Sequence, residues 1–184
     1  MASCSDSRSG ASAVPTSATA ANLDTSAPSS TTLAASRDTL SCADAITVTL
    51  SLDPGYTAIL DQVSLSGGTG ARALQTASSG RTDTSQRLFS KTGLLTYGDR
   101  EVTLEVPEGE SFYFAWGNPA TPTRRLSIRG CSGAAWTVFV GGFWTDGPKC
   151  VNLIIRTAGR EATTSLGLGD PCPGQLPPGG YTER

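Results

Sequence analysis

From Thr39 onward, apolar and polar residues alternate with the two-residue period of half-buried β-strands. Ile46, Val48 and Leu50 alternate with Thr47, Thr49 and Ser51, and Asp53-Pro54-Gly55 then reads as a turn. Ala58 to Leu65 reads as a second strand, with Ile59, Val63 and Leu65 as its apolar positions, followed by a Gly-rich loop at 66–70. Residues 71–86 are polar, and Ala71 to Ala77 has the character of a short helical turn. Further on, Val102, Leu104 and Val106 alternate with Thr103 and Glu105 before the turn Pro107-Glu108-Gly109-Glu110. Strands are expected at 111–116, 124–129, 136–144, 151–156 and 163–168, with turns at Gly117-Asn118-Pro119-Ala120, Asp146-Gly147-Pro148 and Ala158-Gly159. Gly141-Gly142, inside the apolar run 136–144, marks a bulge or a close backbone approach. The pattern predicts about eight or nine short strands and no helix of any length, hence an all-β antiparallel sandwich, immunoglobulin-like or jelly-roll in topology.

The first 38 residues have none of this periodicity. Ser5 to Ser36 is almost entirely Ser, Thr, Ala and Pro with scattered Asp and Arg, and no aromatic residue precedes Tyr56. Such a segment buries too little apolar surface to offset its ordering entropy. Residues 1–38 are therefore expected to be a disordered tether, 39–173 the folded domain, and 174–184 a flexible Pro- and Gly-rich tail. Met1-Ala2-Ser3-Cys4 resembles the end of a bacterial lipoprotein signal, in which Leu and two small residues precede the lipidated Cys. Met1 stands at the Leu position, so the rest of such a signal would lie upstream. On this reading Cys4 carries a lipid and the chain is held at a membrane.

Composition narrows the function classes. Charged residues make up 16% of the 184 residues, below the ~25% of typical domains. The formal net charge of −2 gives no electrostatic reason to expect nucleic acid as a partner. The chain contains no His, which removes the commonest general base and the commonest metal ligand. Its cysteines are Cys4, Cys42, Cys131, Cys150 and Cys172, with no CxxC pair. No metal or cofactor site is expected from them. Four cysteines spread through the β region read as two disulfides and place the domain outside the reducing cytoplasm. Three pairings are open to four cysteines. The expected one joins Cys42 to Cys131 and Cys150 to Cys172, because the second pair flanks a hairpin whose turn lies near Gly159 and would meet at its open end.

The second half of the chain carries a recognisable combination of motifs. Phe89-Ser90-Lys91-Thr92-Gly93-Leu94, Trp116-Gly117-Asn118-Pro119, Gly130-Cys131, Gly141-Gly142-Phe143-Trp144 and Pro148-Lys149-Cys150-Val151 together resemble a group of secreted or lipoprotein-like proteins from actinobacteria. The similarity runs over most of residues 42–174 and does not extend to the tether. It implies export and paired cysteines, and it supplies no catalytic residue.

Candidate chemistry is sparse. Gly67-Gly68-Thr69-Gly70-Ala71-Arg72 lacks the Lys and hydroxyl of a phosphate loop and reads as a hairpin loop. Lys91 and Lys149 are the only lysines, and neither sits in a Ser-x-x-Lys pattern. Asp44, Asp53, Asp61, Asp99, Glu101, Glu105, Glu108 and Glu110 include a conceivable carboxylate dyad, but most flank turns. Aromatic clustering has more content: eight aromatic residues lie between Phe112 and Trp144. Trp116 and Trp144 stand at strand ends beside Gly, with Asn118 and Arg124 as nearby polar partners, an arrangement that suits stacking on sugar rings. The sequence thus points to a non-catalytic envelope module, binding or structural, of unknown ligand, with the membrane (through the lipid), a cell-wall glycan or an envelope protein as candidate partners and a carbohydrate-binding module as the first alternative. A small carboxylate-dependent hydrolase is the remaining alternative.

Overall fold

The computed structural model describes residues 38–65, 71–133 and 135–179. Cys4, the tether before Asp38, the loop at 66–70 and the last five residues lie outside the described part. What is described is an all-β domain of two sheets, with two short 3-10 turns (Cys42–Asp44 and Thr84–Gln86) and no α-helix among the described residues.

Eleven strands occur in the described residues. They are β1 (Thr39–Leu40), β2 (Thr47–Thr49), β3 (Val63–Leu65), β4 (Ala77–Ser78), β5 (Leu88–Tyr97), β6 (Glu101–Glu105), β7 (Phe112–Trp116), β8 (Arg125–Arg129), β9 (Trp136–Thr145), β10 (Lys149–Thr157) and β11 (Arg160–Leu168). One sheet runs β1-β8-β6-β10-β11, antiparallel except for the parallel β1–β8 pair. The other is built on two long neighbours, β5 and β9, paired from Leu88↔Thr145 to Tyr97↔Trp136. β2 and β7 flank β9, while β3 and β4 flank β5. From β5 to β10 the chain changes sheet at every connection, which is the alternation of a jelly roll.

The core is the space between the sheets. Phe112, Phe114, Phe139 and Phe143 enter it from the six-stranded sheet, and Leu104, Leu126, Leu153, Ile155 and Leu166 from the other. The rings meet edge-on, as in the Trp116–Phe143 pair at 5.3 Å and 88°. Two disulfides close the domain, Cys42–Cys131 and Cys150–Cys172, as expected from the hairpin argument. Two such bonds belong to an oxidising, extracytoplasmic environment. Among the described residues no helix is long and apolar enough to cross a membrane.

Four local expectations need correction. The strand drawn over Ala58–Leu65 is broken, because Leu60 and Asp61 adopt φ of 52° and 58° and turn the chain so that Val63 bonds back to Ile59. Ala71–Ala77 is extended rather than helical: Arg72 and Leu74 bridge in parallel to Leu176 and Leu168. The same contacts place the domain boundary later than residue 173. The Ala73 N–H donates to the Leu176 carbonyl and the Leu176 N–H to the Ala71 carbonyl, so 174–179 is docked. Finally, Ile46, Val48 and Leu50 were expected to be buried; Val48 lies on the core-facing side opposite Thr137, but at the sheet edge the three are 58%, 51% and 85% exposed.

One of the two longest strands of the six-stranded sheet, β5, has no apolar alternation to announce it. Its inward positions include Ser90, Thr92 and Thr96, all buried, so the usual pattern is inverted.

Candidate functional site

Side-chain direction in this fold follows from register, since alternate residues of a strand face opposite sides. Phe143 faces the core, so Trp144 faces out. Phe89 on β5 and Tyr113 on β7 stand directly opposite Trp144 on its two sides. The three half-buried rings therefore make one row across three adjacent strands on the outer face. Phe89 and Trp144 touch with ring centroids 4.6 Å apart and planes tilted by 41°.

The two central glycines of β9 make both faces possible, one each. A Cβ on Gly141 would stand 2.7 Å from the Cα and Cδ1 of Trp116 on the core side. A Cβ on Gly142 would stand 2.8 and 2.9 Å from two ring carbons of Phe89 on the outer side. The β5–β9 register passes both residues without interruption, so the pair marks a close approach and not a bulge.

Arg81 lies over the Trp144 ring, its guanidinium carbon 5.6 Å from the centroid. It is carried by the segment between β4 and β5, which the 3-10 turn at Thr84–Gln86 stiffens. Asp83 caps that turn, accepting from the Ser85 N–H at 2.9 Å and the Ser85 hydroxyl at 2.7 Å. The hydroxyl first, then the N–H, hold the Asp83 carboxyl below the ordinary carboxylate range.

Beside the aromatic row runs an open trough of about 860 Å3. Its walls are residues 72–77 and the docked segment at Pro178-Gly179, and Phe89 and Lys91 belong to its floor. Lys91 is exposed and has no hydrogen-bond or ion-pair partner among the described residues. Arg72 donates to the Pro177 carbonyl at 3.2 Å. Among the described residues no carboxylate lines the trough. It is an aromatic-floored, cationic surface on a chain whose net charge is negative.

The four residues singled out in the sequence as a ligand platform do not come together. Trp116 is 2% exposed, and its indole N–H donates to the Thr92 carbonyl at 3.1 Å inside the core. Arg124 is half-buried and staples the turn before β7, donating to the carbonyls of Glu110 at 2.8 Å and Pro107 at 3.2 Å. Asn118 is exposed but sits beyond Gly117, whose N–H bonds to the Val140 carbonyl. That contact lies four residues along β9 from Trp144, roughly 13 Å. Of the four, only Trp144 belongs to the row. Phe89, Tyr113, Lys91 and Arg81 were missed as its companions. The signal that finds Phe89 and Tyr113 is the strand register, which a single sequence does not print.

Five of the eight carboxylates considered for hydrolysis are engaged in hydrogen bonds or ion pairs. Asp44 accepts from the Ser41 backbone N–H at 2.9 Å, Asp61 pairs with Arg160, Glu101 with Arg129, and Glu110 accepts from Asn152. Glu105 is shared by Arg125 and Arg156, and Arg156 also holds Glu161 at 2.7 Å. The Glu161 hydrogen bond leads the causes that raise the Arg156 guanidinium above its ordinary value. This network crosses the outer face of the five-stranded sheet, where a cavity of about 520 Å3 is lined by Glu101, Thr103, Arg156 and Glu161. Among the described residues no group of three potential metal ligands is close enough to hold an ion. No protein-family model matches the chain, and no curated protein matches it in sequence.

Proposed function

We propose that this domain is a non-catalytic binding module of the cell envelope, and that its ligand is a cell-wall glycan lying along the row Phe89–Trp144–Tyr113. The observation that carries the reading is the row itself. Three rings side by side on a sheet face, next to a trough with a free ammonium, match the needs of sugar recognition: flat apolar faces for C–H surfaces and charged or polar donors for hydroxyls. The two disulfides support a site of action outside the cytoplasm. The Cys4 motif and the likeness to secreted actinobacterial proteins support attachment at the envelope through a lipid.

Intrinsic fluorescence tests the ligand. Trp116 and Trp136 are buried, so a change on binding reports Trp144. Soluble peptidoglycan or arabinogalactan fragments are expected to shift and quench the emission, and the Trp144→Ala variant is expected to lose both the response and at least about ten-fold in affinity, the cost of ~1.4 kcal/mol. An unchanged spectrum across these fragments, with no heat of binding by calorimetry, would remove the glycan reading.

A further inference from the structure

Three of the five large apolar residues exposed among the described residues, Ile46, Val48 and Leu50, lie in or beside β2. β2 has β9 on one side and, among the described residues, no strand on the other. Edge strands normally carry a Lys, a Pro or a covering loop that prevents a second chain from pairing with them. From Ala45 to Leu52 there is no charge, no Pro and no Gly. This is an open strand edge with large apolar side chains and no guard.

We infer that β2 is a self-association edge, on which a second copy of this chain pairs its own β2 antiparallel about a two-fold axis. The occupant follows from the segment's symmetry. Read outward from Val48, it mirrors itself: Thr47 against Thr49, Ile46 against Leu50, Ala45 against Ser51. A two-fold through Val48 therefore sets Val48 on Val48 of the second copy, each Ile46 on a Leu50 and each Thr47 on a Thr49. Asp44 then stands across from Leu52, so no carboxylate meets another, which an antiparallel ladder would otherwise penalise. Such an interface is isologous and closes at two copies. A contact confined to one short strand buries less than about 1,200 Å2, the class of weak and transient complexes, so a micromolar or weaker dimer is expected. Pairing would also join the two six-stranded sheets edge to edge.

The test uses the full oxidised chain in sedimentation velocity from about 1 μM to 1 mM, spanning the weak range. The wild type is expected to shift from monomer to dimer over that range. Val48→Lys alone and Val48→Glu alone are expected to stay monomeric with unchanged circular dichroism, since the position is half-exposed. An equimolar mixture of the two is expected to dimerise, because the two-fold brings Lys against Glu. A wild type that remains monomeric throughout overturns the inference. So does a dimer that Val48→Lys leaves intact, or a mixture that fails to associate. If the monomer's β2 amides are protected from hydrogen exchange, and deletion of residues 1–37 removes that protection, the edge is covered by the chain's own N-terminal segment and self-pairing is refuted.

Discussion

Gly141 and Gly142 are neighbours, yet the same substitution at each has its effect on opposite faces of one sheet. A methyl at Gly141 collides with the Trp116 backbone and indole in the core. Gly141→Ala is therefore expected to cost about 1–3 kcal/mol by overpacking, read as a lower urea midpoint. A methyl at Gly142 collides with the Ser90 carbonyl and pushes on the Phe89 ring. Gly142→Ala is expected to disturb the outer row as well, so ligand affinity falls by a larger factor than in Gly141→Ala at matched stability. Equal losses of affinity in the two variants would contradict this division. Trp116 and Trp144 teach the same lesson about legibility. Both end a strand beside a glycine, and sequence treats them alike. Only their register parity separates them: Trp116 pairs with Gly141 on the core-facing set, Trp144 with Phe89 on the outer set.

At the scale of elements, the sequence was readable wherever burial followed the period-two rule. β6 to β11 lie close to where alternation placed them, because each has one apolar face turned to the opposite sheet. β5 was not readable, since Ser90, Thr92 and Thr96 occupy its inner positions and leave no apolar stripe. β2 showed the right period, and Val48 does lie on the core-facing side opposite Thr137, yet its apolar residues stay exposed because they stand at the sheet edge. The tail misled through composition: Pro and Gly read as loose, while Leu176 is hydrogen-bonded on both sides of its peptide plane to residues 71 and 73. Deleting residues 174–184 removes those two bonds, along with the Arg72–Pro177 and Cys172–Gln175 hydrogen bonds, and is expected to cost at least about 1–3 kcal/mol at ~0.5–1.5 kcal/mol for each of the two Leu176 bonds. The deletion also takes away one wall of the trough. Urea denaturation checks the first effect and fluorescence titration the second. A truncated chain with wild-type midpoint and affinity would show that 174–179 contributes to neither.

For the molecule as a whole, the cysteines pointed to the compartment, the hairpin flanked by Cys150 and Cys172 to the pairing, and the alternation of apolar and polar residues to the fold class. The order of strands within each sheet was not accessible, because it depends on contacts between residues far apart in the chain. The two disulfides are unequal in what they constrain. They span 89 and 22 residues, and the chain-entropy model assigns them about 4.6 and about 3.4 kcal/mol of stabilisation. Replacing Cys42 and Cys131 together by Ala is thus expected to lower stability more than replacing Cys150 and Cys172. Thermal denaturation of the two double variants decides the order, and the reverse order would mean that native-state packing around the shorter bridge outweighs loop length.

The bridges also occur in a sequence with mechanical meaning. Load entering ahead of Thr39 peels only the two-residue strand β1 before it reaches Cys42. From there the covalent route crosses to Cys131, follows the backbone to Cys150, and crosses again to Cys172. The backbone between the bridged cysteines, which stand 89 and 22 positions apart, is bypassed by this covalent route. Between the bridges, the extensible length is the stretch from Cys131 to Cys150, about 65 Å when fully drawn out. That stretch is β9 and its following turn, held between β5 on one side and β2 and β7 on the other. A domain wired this way stretches like a short strap: most of its sequence is bypassed, and the strand that takes the strain is the one most tightly laced into its sheet.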